Sequence, residues 1–347
     1  MAHTANPHNR QLAPYPPRFA NGLLLPMRLL LVFTLLTMLA PLVQAQTLLN
    51  QRMTVQVPDG RLHGSLLHPK SDAPLPVALL IAGSGPTDRD GNNPMGHNDS
   101  LKRLAQALAK RGIASVRYDK RGVGQSRALA PDESQLDVKD YVADAVAWTR
   151  LLQADPRFSA VVLVGHSEGA LIASLAEPTV KPAALISLAG SGRPIDTLLR
   201  EQLQGRLSPP LLATAYYLID ELKAGRIHDQ VPDPLRILFR PSVQPYLISL
   251  FRQDPANAFA GTTAPALIIQ GTHDIQVGRE DAQALKRARA DAELALISGM
   301  GHVLRITPPE RGGQMASYNS PELPIAHELT EQISRFLSEH GILPASS

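Results

Sequence analysis

The stretch VVLVGHSEGALIASLAEP, residues 161–178, decides the reading of the fold. An apolar, β-branched run stops abruptly at Gly165-His166-Ser167-Glu168-Gly169, and helix-forming sequence begins with no spacer. A run apolar at every position predicts a strand buried on both faces. Gly-x-Ser-x-Gly at the junction of such a strand with a helix predicts a nucleophile elbow, a turn so tight that the serine takes a strained backbone conformation. Small residues two positions to either side keep the neighbouring strand and helix from clashing. The hydroxyl is then presented at the carboxyl edge of a sheet, where open α/β folds bind ligands. The helix start beneath it brings free N–H groups toward developing negative charge. The bare motif also fits a merely structural turn; its seamless strand-to-helix setting is what favours the functional reading.

Working outward, the alternation of strand and helix is regular. RMTVQVPDGRLHGSLLHP (52–69) reads as a hairpin turning at Pro58-Asp59-Gly60. VALLIAG (77–83) is a second fully apolar strand, followed by a glycine-rich loop. SLKRLAQALAKRG (100–112) has a serine cap, leucines at helical spacing and a closing glycine. ASVRYD (114–119) is a strand, 138–155 a helix and AALISLAG (183–190) a strand. Between Ser191 and Thr263 the rhythm breaks into proline-separated helical segments with no evident strand. It resumes with ALIIQG (266–271), a helix from Arg279, the strand AELALIS and a last helix ending near His340. This order predicts a mostly parallel, doubly wound α/β sheet, with a core over 46–190 and 264–347 and a helical lid insertion over 191–263.

A serine hydroxyl is a poor nucleophile near neutral pH and needs a base, itself oriented by an acid. On such a sheet the three follow the chain order serine, acid, histidine, each at a strand end. ALIIQGTHD places Asp274 just past one strand, and AELALISGMGH places His302 just past the next. His273 is the nearest rival base, but it precedes the acid and adjoins it. Asp196 is a second candidate acid. Asp281 and Asp291 read as surface charges of the following helix.

Composition excludes other chemistries. With no cysteine in 347 residues, thiol nucleophiles, thiolate metal sites and disulfides are ruled out. MRLLLVFTLLTMLAPLVQAQ (27–46) has a basic start, an apolar run too short to span a bilayer, and small residues placed for cleavage after Ala45. Residues 1–45 are therefore expected to be a leader with a signal peptide over 27–45, Met27 the initiator, and the mature protein periplasmic or secreted without stable membrane insertion. Taking Arg10, Arg18 and Arg28 from the 34 basic residues leaves 31 to face 31 acidic ones, a balance that gives nucleic-acid binding no support.

From Arg52 to His340 the chain resembles the α/β-hydrolases, in the branch that groups serine aminopeptidase-like hydrolases with bacterial carboxylesterases. The motifs that carry the resemblance are LLIAGSGPTDRDGNN, RYDKRGVGQS, GHSEGA, GTHD and GMGH. It implies Ser167 as nucleophile, His302 as general base and acid, and Asp274 as the residue orienting the imidazole. It also implies two oxyanion donors: the backbone N–H of Glu168 and that of Ser84, with Gly85 the alternative to Ser84. Where many relatives open this loop with His-Gly, the chain has Ala82-Gly83.

The expected activity is hydrolysis of small-molecule carboxylic esters through an acyl-enzyme, with no cofactor and no metal. The alternatives are a peptidase for small peptides or aminoacyl amides, and a binding module that has kept the fold without turnover. DRDGN (88–92) lacks the closing glutamate of a calcium loop and is expected to line the mouth of the site. Asp119, Arg121 and Ser126 are expected to brace the elbow. Glu168 either tunes the nucleophile or faces solvent. Leu211, Leu212, Tyr216, Tyr217 and Phe251 either roof an acyl pocket or pack the insertion onto the body.

Overall fold

In the computed structural model, residues 47–344 are described; the expected leader lies outside them. The chain first folds back at Pro58-Asp59, pairing β1 (Leu48–Val57) with β2 (Gly60–Pro69) antiparallel. Gly60 takes φ 139°, which the tight reversal requires and side chains rarely adopt. The hairpin joins β4 (Ala114–Tyr118) by antiparallel pairing. From there β3 (Leu75–Ile81), β5 (Phe158–His166), β6 (Ala184–Leu188), β7 (Ala266–Gly271) and β8 (Glu293–Ile297) run parallel. The eight strands lie in the order β1-β2-β4-β3-β5-β6-β7-β8.

The continuous apolar runs are explained by helices on both faces of this sheet. Leu79, Ile81, Leu163, Leu185 and Ile268 face one layer, packing on α2 (Val138–Gln153), α3 (Glu168–Val180) and α9 (Arg279–Ala288). Leu80, Val162, Val164, Ile186 and Ile269, one residue out of phase, face α1 (Ser100–Ala109) and α11 (His327–Glu339). The period of two along each strand thus feeds two separate cores. β8, at the edge, is the partly exposed exception.

The segment between β6 and β7 is helical, as its proline-broken periodicity predicts: α4 (Ile195–Leu203), α5 (Pro209–Lys223), α6 (Arg236–Phe239), α7 (Gln244–Phe251) and α8 (Pro255–Ala260). Leu203, Leu218, Ile219, Leu222, Phe239 and Phe251 give it a hydrophobic cluster of its own. Arg240 ties it to the loop before α2 through two 2.6 Å bonds to the Glu133 carboxylate. α10 (Arg311–Ala316) lies between β8 and α11.

One surface expectation is overturned. Asp281 has no exposed side-chain area. Its carboxylate accepts from the Gly192 and Gly278 N–H groups and from the Arg193 guanidinium at 2.8 Å. An acid in the first turn of a helix turns inward to meet unpaired N–H groups, and helical periodicity does not see that demand. Asp291 does lie exposed beside Arg289. Asp281→Ala leaves these buried donors unpaired and is expected to cost about 3 kcal/mol. The expected readout is a lower urea midpoint at unchanged denaturant dependence.

Candidate active site

Because six strands are parallel, every loop leaving a carboxyl end emerges on one rim of the sheet. That rim carries Ser84 after β3, Lys120 after β4, Ser167 after β5, Asp274 after β7 and His302 after β8.

Ser167 holds φ 56° and ψ −123°, a conformation that costs a non-glycine residue about 1–3 kcal/mol. Its N–H donates to the Leu188 carbonyl at 2.9 Å, and its carbonyl accepts from Ala170 at 3.0 Å. The flanking glycines are steric necessities. A Cβ on Gly165 would stand 2.2 Å from the Gly169 carbonyl oxygen, and one on Gly169 would stand 2.2 Å from that of Ile81. Only bare backbone lets α3 start this close to β3 and β5. The glycine-rich loop approaches as tightly: a Cβ on Gly83 would meet the Ser167 Cβ at 3.0 Å. The N–H of Glu168, first residue of α3, has no intrahelical acceptor, as at every helix start.

Asp274 and His302 are brought together. Asp274 Oδ2 lies 2.8 Å from His302 Nδ1, and the two side chains are 1% and 6% exposed. The other carboxylate oxygen accepts from the Gln276 and Val277 N–H groups at 2.8 and 3.0 Å. Burial by itself raises the Asp274 carboxyl. The His302 ring and those N–H groups outweigh burial and hold it below the usual carboxylate range. No hydrogen bond joins the Ser167 hydroxyl to the His302 ring in this structure.

What links His302 to the elbow is His166, a residue the sequence reading passed over. Its Nε2 lies 2.8 Å from the His302 carbonyl, and the two ring centres lie 4.9 Å apart with the planes tilted by 46°. Burial, helped by proximity to the His302 ring, pushes His166 down to about 4. The ring is therefore neutral, and since a carbonyl only accepts, Nε2 carries the proton. The available signal was a histidine ending the apolar run of a strand, one residue before the serine.

A cavity of about 340 Å³ opens beside Ser167. Ser84, Gly85, Lys120, Tyr141, Glu168 and Tyr246 line its polar end. Leu198, Leu199, Val243, Leu247, Leu250 and Phe251 of the insertion form an apolar wall. Glu168 does not face solvent; it is buried and accepts from the Tyr246 hydroxyl at 2.7 Å. Phe251 lines the cavity, whereas Leu211, Leu212 and Tyr216 pack within the insertion and Tyr217 is 54% exposed.

Other expected roles shift. Asp88, Arg89 and Asp90 line a separate, open polar depression with Asn50 and Ser65, not the cavity beside Ser167. Asp119 bonds Arg89 and the Gln125 N–H, Arg121 bonds Asp144, and Ser126 accepts from the His63 N–H. That network braces the glycine-rich loop and β2, a step removed from the elbow. Arg89 bonds Asp119, and Asp88 accepts from the Asp90 and Asn92 N–H groups, which turns the 88–92 loop to the neighbouring depression; its composition does not reveal this. His273 bonds the Thr307 carbonyl and Asp196 bonds Lys223, so neither joins the Asp274–His302 pair. Among the described residues no group of three or more histidine or acidic side chains converges as a metal site would.

A family model described as serine aminopeptidase, S33, matches residues 95–307, well over half of the chain. The chain belongs to the serine aminopeptidase S33 family of α/β-hydrolases. Ser167, Asp274 and His302 fall within the matched span, and Ser84 lies before it. Esterase EstD of Thermotoga maritima is 28% identical over 247 residues, 70% of this chain and 58% of that protein. The chain thus spans a little over half the length of that relative. Among solved structures, Est1E of Butyrivibrio proteoclasticus with bound ferulic acid aligns with TM-score 0.56 at 18% identity, covering 83% of this chain and 98% of its own. The Pyrococcus furiosus esterase Pf2001 aligns at 0.53 and 17% identity, covering 93% and 96%. These two likenesses establish the fold that the family shares.

The depressed His166 gives a pH signature. Unfolded, this ring titrates at its ordinary 6.5; folded, at about 4. Between those values the unfolded chain binds a proton that the folded chain refuses. The stabilisation is complete above about pH 6.5 and is lost as pH falls toward 4. Urea titrations from pH 7 to 4 should show this decline, and His166→Gln, which retains an N–H donor for the His302 carbonyl, should flatten it.

Proposed function

We propose that the protein is a serine hydrolase that cleaves carboxylic esters through an acyl-enzyme, with Ser167, His302 and Asp274 as its triad. The observation that carries this reading is the buried 2.8 Å Asp274–His302 bond on the same rim as a strained serine. Ser167 Oγ attacks the ester carbonyl while His302 Nε2 takes its proton. Asp274 holds the imidazole through Nδ1 and stabilises the imidazolium that forms. The Ser84 and Glu168 N–H groups receive the tetrahedral oxyanion. His302 then protonates the leaving alcohol, and water repeats the cycle to release the acid. The serine–imidazole bond commonly tightens only with substrate in place.

The family description itself favours a second reading, an aminopeptidase. That activity needs an anionic subsite for a free amino group. The cavity carboxylate that follows the nucleophile in the chain, Glu168, is already engaged by Tyr246 and is close enough to Lys120 for their charges to interact. The apolar wall beside it suits an acyl chain instead, and the relative named an esterase supports that ranking. The insertion acts in this reading as the lid that supplies the wall. Secretion to the periplasm rests on the leader motif, and the mass of the mature N-terminus tests it: a chain beginning at Gln46 is expected.

Wild type is expected to hydrolyse p-nitrophenyl esters with higher kcat/KM than aminoacyl p-nitroanilides; the opposite order transfers the assignment to the aminopeptidase. Ser167→Ala should lose ester turnover and labelling by a fluorophosphonate, and Asp274→Asn should lower kcat about 10⁴-fold. A wild type that takes up no probe would be a binding module. Leu247→Trp, which fills the apolar wall, should lower kcat/KM for long acyl chains at least tenfold and leave acetate esters within about threefold.

A further inference from the structure

Lys120 is 3% exposed, yet its ammonium forms no direct ion pair among the described residues; the carboxylate whose charge reaches it, Glu168, is bonded to Tyr246. The chain neighbours of Lys120 are committed elsewhere, Asp119 to Arg89 and Arg121 to Asp144. Lys120 Nζ instead donates to the backbone carbonyls of Gly83 and Gly85, the latter at 2.9 Å, and lies 5.4 Å from the centre of the Tyr141 ring. Burying an ammonium costs several kcal/mol, and methionine would fill the same space without that penalty. Such a placement calls for a role that needs the charge.

The peptide plane supplies one. In a trans peptide the carbonyl of one residue and the N–H of the next belong to the same rigid unit and point in opposite directions. An ammonium bonded to the Gly83 oxygen therefore turns the Ser84 N–H away from itself, and this N–H donates to no acceptor among the described residues. The adjoining peptide is committed differently: the Ser84 carbonyl accepts from Thr87 Oγ1 at 2.8 Å. The unit so held is the one packed on Ser167, whose Cβ would stand 3.0 Å from a Cβ on Gly83. A cation on the carbonyl also polarises the peptide and makes its N–H the stronger donor.

We infer that Lys120 is a positioning residue that aims and strengthens the Ser84 N–H as an oxyanion donor by holding the carbonyls on either side of Ser84. This rests on the serine-hydrolase reading above. Loss of a whole oxyanion donor costs 10²–10³ in kcat. Misaiming one is expected to cost roughly 10–100-fold, with KM nearly unchanged because the oxyanion exists only beyond the ground state.

The test is steady-state hydrolysis of a p-nitrophenyl ester by full-length wild type, Lys120→Met and Lys120→Cys. Since the chain has no cysteine of its own, the introduced thiol can be alkylated selectively in denaturant and the protein refolded. 2-Bromoethylamine restores an ammonium at lysine length, and 1-bromopropane restores the same bulk without charge. The expected results are a 10–100-fold fall in kcat for Lys120→Met at a KM within threefold of wild type, and a kcat at least tenfold higher for the aminoethylated protein than for the propylated one. Equal kcat in the two alkylated forms, or a Lys120→Met kcat within threefold of wild type, overturns the inference. If wild type hydrolyses no ester and Ser167 takes up no fluorophosphonate, the serine-hydrolase reading falls instead.

Discussion

The Ser167 backbone can hold its positive φ only where two other segments press against it without side chains of their own. Gly165 and Gly169 meet backbone at distances that no Cβ tolerates, and Gly83 closes the third side. Strand, helix and glycine-rich loop thus converge on one residue through main-chain contact. The rest follows from that convergence. The sheet must be parallel here to send its loops to one rim, and both its faces must be covered to make continuous apolar strands soluble. The strain at the elbow is held in place by the packing of everything around it.

Around the elbow the buried polar groups form a graded set. His166 is kept neutral by burial and passes a proton-bearing nitrogen to the His302 carbonyl. Asp274 is kept ionised by the ring it holds and by two backbone N–H groups. Lys120 meets carbonyl dipoles and Glu168 meets a tyrosine hydroxyl. Each of these groups is thus satisfied by a partner other than the cavity itself, and the leucines of the insertion face it as an apolar wall.

Much of this was legible in the sequence, and the limits have a physical pattern. Strands β3 to β7 were readable because burial on both faces writes itself into consecutive apolar residues. The shared rim of Ser167, Asp274 and His302 was readable because each follows a strand within a few residues, and a parallel sheet turns position after a strand into position in space. His166, Lys120 and Tyr246 were not, because their partners lie 136, 35 and 78 residues away and no local spacing announces them. Asp281 misled for the same reason: its partner Arg193 precedes it by 88 residues. The 88–90 loop, expected at the mouth of the site, bends toward Asp119, a choice made by hydrogen bonds that composition cannot rank.

The helical segment between β6 and β7 brings its own hydrophobic cluster. Its side chains provide one wall of the cavity, while the rim residues hang from the sheet. Leu199, Leu247 and Phe251 of that wall pack in the insertion's cluster, whereas Val243 and Leu250 pack on the core beneath the sheet, so the two hydrophobic clusters meet at the cavity. A substitution at Leu199 or Leu247 is thus borne by the insertion's own packing, whereas one at Val243 or Leu250 is felt as well by the core that seats the helix behind Ser167, and the shape of the cavity is freer to drift at the first pair than at the second.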